Sequence, residues 1–354
     1  MYLALKEIRH EKLRYGLIVS MIVLIAYLIF ILTSLAFGLA GENTQAINSW
    51  DAKSIVLNKD SNISLTQSII TKDQAKDAKL TSKEAVIGST PVVAKHKGKE
   101  KISASFIGAR KSQFIIKDLK LTAGHKARNN HQIVVDEKFK TDGYKLGDKV
   151  TLNSFKDKYQ IVGFTKNAKL NVAPVAYGTV STWKYLRGMP NAAVTGSAIV
   201  SKNANYKAHS SHLKTYSMDK FISKLPGYSA ENTTFGFMIG FLMIISLVLI
   251  AVFLYILTMQ ALPTYAVLRA QGIPAKALVS TITSQSLVLM ASGVLIGAAL
   301  AALTGWMLPV GVPMAFNIPV LIWISIGLMI MGVIGAAIPA RKIATVDPVS
   351  VIGG

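Results

Sequence analysis

The chain has 354 residues, 51% hydrophobic and only 16% charged, with a formal net charge of +21 and no cysteine. Soluble globular chains average about 25% charged residues, so this composition argues for a membrane protein. The missing cysteines exclude thiol nucleophiles, thiolate metal sites and disulfides.

Residues 1–14 carry Lys6, Arg9, Lys12 and Arg14 and read as a cytoplasmic amphipathic helix. Residues 15–41 hold no Asp, Glu, Lys or Arg. That run exceeds the ~20 residues that cross a bilayer as a helix, and it is about twice the apolar core of a signal peptide. It reads as a retained first span. The run closes on FGLAGENTQAI, residues 37–47, where Glu42 is the first acid since Glu11. A polar residue ends many spans, and a carboxylate at the membrane edge can equally be a ligand.

Residues 42–234 read as one large mixed α/β domain, long enough to build its own core. Short stretches rich in Val, Ile, Phe and Thr (SIVLN, AVIGS, PVVAK, KISASFIG, QFIIK, HQIVVDE, KVTLNS, YQIVGF and GSAIVS) predict strands. TKDQAKDAKLTSKEAV and the stretch near STWKYLRG predict helix, and residues 203–226 lead back toward the membrane, partly as helix. Three more apolar runs follow: a second span over 235–262, a third over 277–309 and a fourth over 318–340. A cytoplasmic coupling segment, 263–276, separates the second from the third. A short outer loop, 310–317, separates the third from the fourth, and residues 341–354 form a tail. No charged side chain occurs between Ala277 and Ala340.

Short basic segments set orientation. The head, the loop with Arg269 and Lys276, and the tail with Arg341 and Lys342 alternate as cytoplasmic, which puts both termini inside and residues 42–234 outside. That outer domain carries 31 Lys and Arg against 15 Asp and Glu, spread as single lysines. Such dispersal on the exterior argues against nucleic acid as a partner and suits an anionic wall, lipid head groups or an acidic ligand.

Catalytic motifs are absent. The sequence holds no G-x-S-x-G elbow and no G-x-x-x-x-G-K-[ST] phosphate loop, so the chain is not expected to be an enzyme or to hydrolyse ATP. All six histidines lie outside the spans; His209 and His212 form H-x-x-H without a third ligand at matching spacing. Gly236 with Gly240 and Gly293 with Gly297 have the spacing that permits close helix packing. No span carries an Asp, Glu, Lys, Arg or His at its centre, where a proton- or ion-coupled carrier needs a charged group. The energy for transport is therefore expected from a separate ATPase.

One amphipathic head, one span, a large outer domain and three further spans resemble the permeases of the type VII ABC exporters. That MacB/FtsX-like family includes macrolide-efflux and lipoprotein-releasing permeases and the FtsX cell-division proteins. HQIVVDEKFKTDGYKLGDKVTLNSFKDKYQIVGF resembles the family's outer-domain core: a strand, a helix, a Gly-x-x-x-Gly-Asp turn and two strands. TYAVLRAQGIPAKAL resembles its coupling segment, with Leu268, Arg269, Ala270 and Gly272 in place, though an acidic residue often found shortly before is missing. The tail VDPVSVIGG resembles the family's Asp-Pro ending.

Within the family the likeness is greatest to the haem-efflux ABC transporter permeases. LALKEI, GLAGEN (38–43), GYSAEN with FMI (227–239) and the closing Ile352-Gly353-Gly354 carry it. This resemblance implies a multi-pass protein of a bacterial plasma membrane that works as a homodimer with two copies of an ABC ATPase. It implies haem as transported substrate, with no tightly bound cofactor. Glu42 is then the expected ligand of the haem iron, with room left by Gly38, Ala40 and Gly41, and Tyr228, Glu231 and Met238 are further candidate haem contacts. Two rivals use the same architecture: export of an antimicrobial peptide, a lipid or a lipoprotein, or FtsX-like signalling to a wall hydrolase without transport.

Overall fold

The computed structural model describes residues 11–309 and 312–344, and side chains to Lys342. Most of the basic head, LALKEI, and the VDPVSVIGG tail lie outside the described residues. By contacts the chain divides into two compact units, residues 39–231 and the remainder on either side.

Four helices reach membrane-spanning length: α1 (Lys12–Ser49), α6 (Tyr228–Ala270), α7 (Ala275–Met307) and α8 (Ile318–Ala344). At 1.5 Å per residue, α1 and α6 are about 57 and 64 Å long, roughly twice the hydrocarbon thickness. Both overrun their apolar runs. α1 continues through Glu42 to Ser49, so FGLAGENTQAI lies within an unbroken helix.

In the helical unit, Ile18, Ile22, Ile25 and Ile29 form the buried stripe of α1 at helical spacing. That stripe meets the small-residue face of α7. A Cβ on Gly293 would fall 2.4 Å from the Ile22 side chain, and one on Gly297 would fall 3.0 Å from Ala26. These two glycines serve packing, whereas a Cβ on Gly236 or Gly240 would meet nothing within 4 Å. α7 holds α8 by a hydrogen bond from Ser286 Oγ to the Gly332 carbonyl, 2.7 Å.

The intervening unit is mixed α/β. Its strands are β1 (Ser54–Asn58), β2 (Ile70–Thr71), β3 (Glu84–Lys95), β4 (Ile102–Ala109), β5 (Leu121–Gly124), β6 (Gln132–Asp136), β7 (Lys149–Leu152), β8 (Lys158–Thr165), β9 (Lys169–Leu170), β10 (Ala173–Gly178), β11 (Val194–Gly196), β12 (Ala198–Ser201) and β13 (Leu213–Ser217). Short helices α2 (Phe114–Lys117), α3 (Glu137–Thr141), α4 (Val180–Leu186) and α5 (Met218–Ser223) lie among them. The main sheet runs β13-β1-β12-β3-β4-β10-β6-β8-β5, and β7 pairs with both β8 and β3. The strands β3, β4, β10, β6, β8 and β7 therefore close a hydrogen-bonded circuit. Phe106, Phe139, Tyr144, Ile161 and Trp183 belong to the core cluster built on it.

AVIGS and PVVAK form one strand, β3, despite Pro91 between them. On one edge β12 pairs with residues 84–87 and β7 with 94–95. The missing N–H of Pro91 falls in the gap, where side chains serve its neighbours: Ser197 Oγ accepts from Ser89 N at 3.0 Å, and Asn153 Oδ1 from Val93 N at 2.8 Å.

Two local expectations fail. TKDQAKDAKLTSKEAV forms turns and then the start of β3. Thr71 and Gln74 exchange reciprocal backbone bonds as in a capping box. No helix propagates, because only Ala75 and Ala78 offer an apolar face and Lys72 and Lys76 repel at i,i+4. QFIIK forms the helical turn α2 and not a strand. Phe114, Ile115 and Ile116 are all buried, and a fully buried short run has no period that separates strand from helix.

Candidate functional site

The last turns of α1 present a buried stripe of Asn43, Ala46, Ile47 and Trp50, at i, i+3, i+4 and i+7, to the core of the intervening domain. Glu42 lies beside this stripe, its side chain 13% exposed, and its Oε1 accepts from the Lys169 ammonium. Lys169 opens the β9–β10 hairpin, whose two-residue loop is Asn171-Val172. Both loop residues have positive φ, 50° and 65°, as a type I′ turn requires. Asparagine adopts that conformation readily; a β-branched valine there is strained. The same loop docks on α1, where Asn171 N donates to the Asn43 carbonyl at 3.1 Å.

Asn43 also reaches the start of α6. Its Nδ2 donates to Glu231 Oε2 at 2.9 Å. Tyr228, at the first position of α6, is half-buried and packs against the core cluster that holds Ala46, Ile47 and Trp50. The GLAGEN and GYSAEN motifs therefore meet, through Asn43 and Glu231. Each carboxylate has a partner: Glu42 has Lys169 and Glu231 has Asn43.

Small residues before Glu42 have separate uses. Gly38 belongs to the helical unit, where a Cβ would lie 2.2 Å from the Pro313 carbonyl oxygen; its smallness serves helix–loop packing. A Cβ on Gly41 would meet no atom within 4 Å. Met238 lies in the helical unit, exposed on α6. Among the described residues no three His, Asp or Glu side chains group to hold a metal ion.

Leu268, Arg269, Ala270 and Gly272 build the turn between α6 and α7. Gly272 has φ +90°. Gly272 N donates to the Arg269 carbonyl at 3.0 Å, and Ile273 N to the Leu268 carbonyl at 3.1 Å. This is the Schellman pattern, with Leu268 and Ile273 both packed against the helical core. Pro274 follows and caps α7.

Lys169 and Asn43 were not among the candidate site residues. Glu42 and Lys169 lie 127 residues apart, and Lys169 is one of 39 basic residues. No local signal marks it. Asn43 stands inside a motif, but its side-chain role depends on the approach of α6.

Elsewhere in the domain, burial pushes the Tyr177 hydroxyl up to about 12, although Trp50 Nε1 donates to it at 3.4 Å. Burial raises the Asp136 carboxyl, against backbone bonds from Lys138 and Ala168. Neither belongs to the candidate site.

Residues 236–348 match the family model of the FtsX-like permease C-terminal domain. Over its full length the chain is 27% identical to a Staphylococcus epidermidis protein named as a hemin transport system permease, HrtB, covering 99% of it. A Staphylococcus haemolyticus protein of the same name is 24% identical, also across all of this chain and 99% of the relative. Among solved structures, the periplasmic region of MacB from Actinobacillus actinomycetemcomitans aligns with 48% of this chain and 90% of its own length, at 15% identity and a TM-score of 0.36. The extracellular domain of the ABC-type transporter YknZ aligns with 44% and 84%, at 12% identity and 0.32. Those scores are too low to define a shared fold. Four helices are long and apolar enough to cross a membrane, residues 236–348 are similar to the FtsX-like permease C-terminal family, and the whole chain is similar to proteins named as permeases. The individual relatives it is similar to over its whole length are the HrtB hemin permeases.

Proposed function

We propose that the chain is the permease subunit of an exporter that takes haem from the membrane and releases it outside. In this reading it works as a homodimer in a bacterial plasma membrane, with both termini cytoplasmic and the β-rich domain outside. Two copies of a separate ATPase supply the energy. The observation that carries the reading is Glu42: a half-buried carboxylate just past a long uncharged run, held by one ammonium group, in a chain similar end to end to the HrtB proteins.

Haem is a flat apolar plate with two propionates and an iron that accepts axial ligands. Glu42 would exchange the Lys169 ammonium for the iron, and Lys169 would be freed to pair with a propionate. Charge stays balanced through that exchange. Glu231 supports the site through Asn43, and Tyr228 supplies a hydroxyl. A second copy would cover the exposed apolar side of α6, where Phe237, Phe241 and Ile244 are each more than half exposed. The capped turn around Leu268–Gly272 would receive the ATPase and pass its motion into α6 and α7. A carboxylate, amine or imidazole relay has no residues to use, since the uncharged runs hold no Asp, Glu, Lys, Arg or His at the span centres.

The test is the visible spectrum of the purified protein with haemin. Glu42→Ala should lose most of the Soret band while remaining folded and dimeric, and Lys169→Met should retain it. An unchanged band in Glu42→Ala overturns the ligand assignment.

A second reading, transmission of ATPase motion to a wall hydrolase without transport, is favoured by the FtsX-like match over residues 236–348. It requires nothing of Glu42, and it expects no haemin binding by the unmodified protein.

A further inference from the structure

A cleft of about 500 Å³ lies on the other side of the α1 extension, wholly within the intervening domain. Gly41, Gln45 and Asn48, spaced i, i+4 and i+7, form its helix wall, on a face distinct from the buried stripe of Asn43, Ala46, Ile47 and Trp50. Phe114, Ile115 and Leu119 supply apolar surface. Lys120 and Lys166 stand at the rim, both exposed. Among the described residues neither ammonium group has an ion-pair partner. The remaining charge in the lining, Asp118, is paired with Lys202 at 3.1 Å. Thr165 Oγ1 donates to the Lys120 carbonyl at 2.7 Å and so ties together the two segments that carry the lysines.

Small-molecule sites are concave, of ~300–1,000 Å³, mostly apolar, with a few polar groups that set orientation. This cleft has the volume, an apolar wall and two unneutralised cations at one side. We infer that it is a second binding site, separate from Glu42, for an amphipathic anion: an apolar body against Phe114, Ile115 and Leu119, and an acidic end on Lys120 and Lys166. Two sources have this chemistry, a porphyrin bearing propionates and a lipid bearing a phosphate head group. The first would make the cleft a station for cargo beyond Glu42. That assignment of source rests on the export reading above; the existence of the site does not.

The absence of native cysteine makes the test direct. Asn48 is exposed on the cleft wall, so Asn48→Cys gives the full chain a single thiol whose alkylation by a maleimide reports access. Iron-free protoporphyrin IX is the first probe, because without iron it has no axial ligand to take from Glu42. At ten times its dissociation constant it should slow alkylation about tenfold, by mass action. Its dimethyl ester, with no acidic ends, should not. Protection should persist with Glu42→Ala and be lost with Lys120→Gln/Lys166→Gln. It should also be lost with Gly41→Leu, which fills the wall where a Cβ meets no protein atom and removes a glycine from a helix interior. Phosphatidylglycerol vesicles form the second arm: protection by them and not by the porphyrin identifies a lipid as the source. If neither probe protects, or if the double lysine variant is protected as well as its parent, the site does not exist. Failure of the haem reading appears separately, as a Soret band indifferent to Glu42→Ala.

Discussion

Asn43 donates its side-chain amide to Glu231 Oε2 at 2.9 Å, joining residues 188 apart in the chain. One belongs to the helix that leads into the β-rich domain and the other to the helix that leads out of it. The bond therefore closes the base of the domain. Asn43→Ala removes the donor and leaves a half-buried carboxylate oxygen unserved, which should cost about 1–3 kcal/mol. Asn43→Asp should cost more, because it sets a second carboxylate against the first. Thermal unfolding in nanodiscs checks the ranking, and hydrogen exchange at the start of α6 checks the location. Equal stability of both variants and the parent would remove the clamp.

Val172 has φ +65° at the tip of the hairpin that carries Lys169 to Glu42, and its side chain is 39% exposed. Val172→Gly creates Asn-Gly, the preferred pair for this turn, and should stabilise the protein by roughly 0.5–1 kcal/mol. A melting temperature that falls would show that the valine makes contacts outweighing its strain. Higher stability with weaker haemin binding would mark the valine as a contact to cargo.

Gly272 occupies the left-handed position of the α6–α7 turn. Gly272→Ala should cost about 1–2 kcal/mol, since a Cβ is disfavoured in that conformation. On the proposed export reading, haemin binding by the chain alone should be unaffected, while ATP-driven export in vesicles containing a partner ATPase should drop. If export is retained in full, the geometry of this turn does not carry coupling.

Glu84 supplies a pH dependence. Burial pushes its carboxyl up, but bonds from Thr81 and Ser201 outweigh that and hold it below its ordinary value of 4.5. A lowered folded value means the carboxylate stabilises the domain fully above pH 4.5, and this is lost as pH falls through the folded value. Glu84→Gln should therefore lower stability at pH 7 and lose less on acidification than the parent. Parallel pH–stability curves for the two proteins would exclude Glu84 as a source of acid sensitivity.

Composition and runs of residue type determined a good deal of this protein. Burying a charge in hydrocarbon is so costly that long uncharged runs locate the spans on their own. The stretch from His131 to Phe164 also reads correctly, as strand, helix, glycine turn and two strands, because β6, β7 and β8 each carry a local strand pattern and α3 has a local cap in Asp136. QFIIK could not be read, because three consecutive buried residues leave no period. The candidate site was half legible: Glu42 stood out as the first acid after the apolar run, but its partner did not. Lys169 meets Glu42 because a two-residue turn aims β9 at α1, and Glu231 meets Asn43 because α6 begins beside the end of α1. The closed circuit of strands and the cleft beside Lys120 and Lys166 arise in the same way. Contacts between residues far apart in the chain depend on how strands pair and helices pack, and only the tertiary structure decides those.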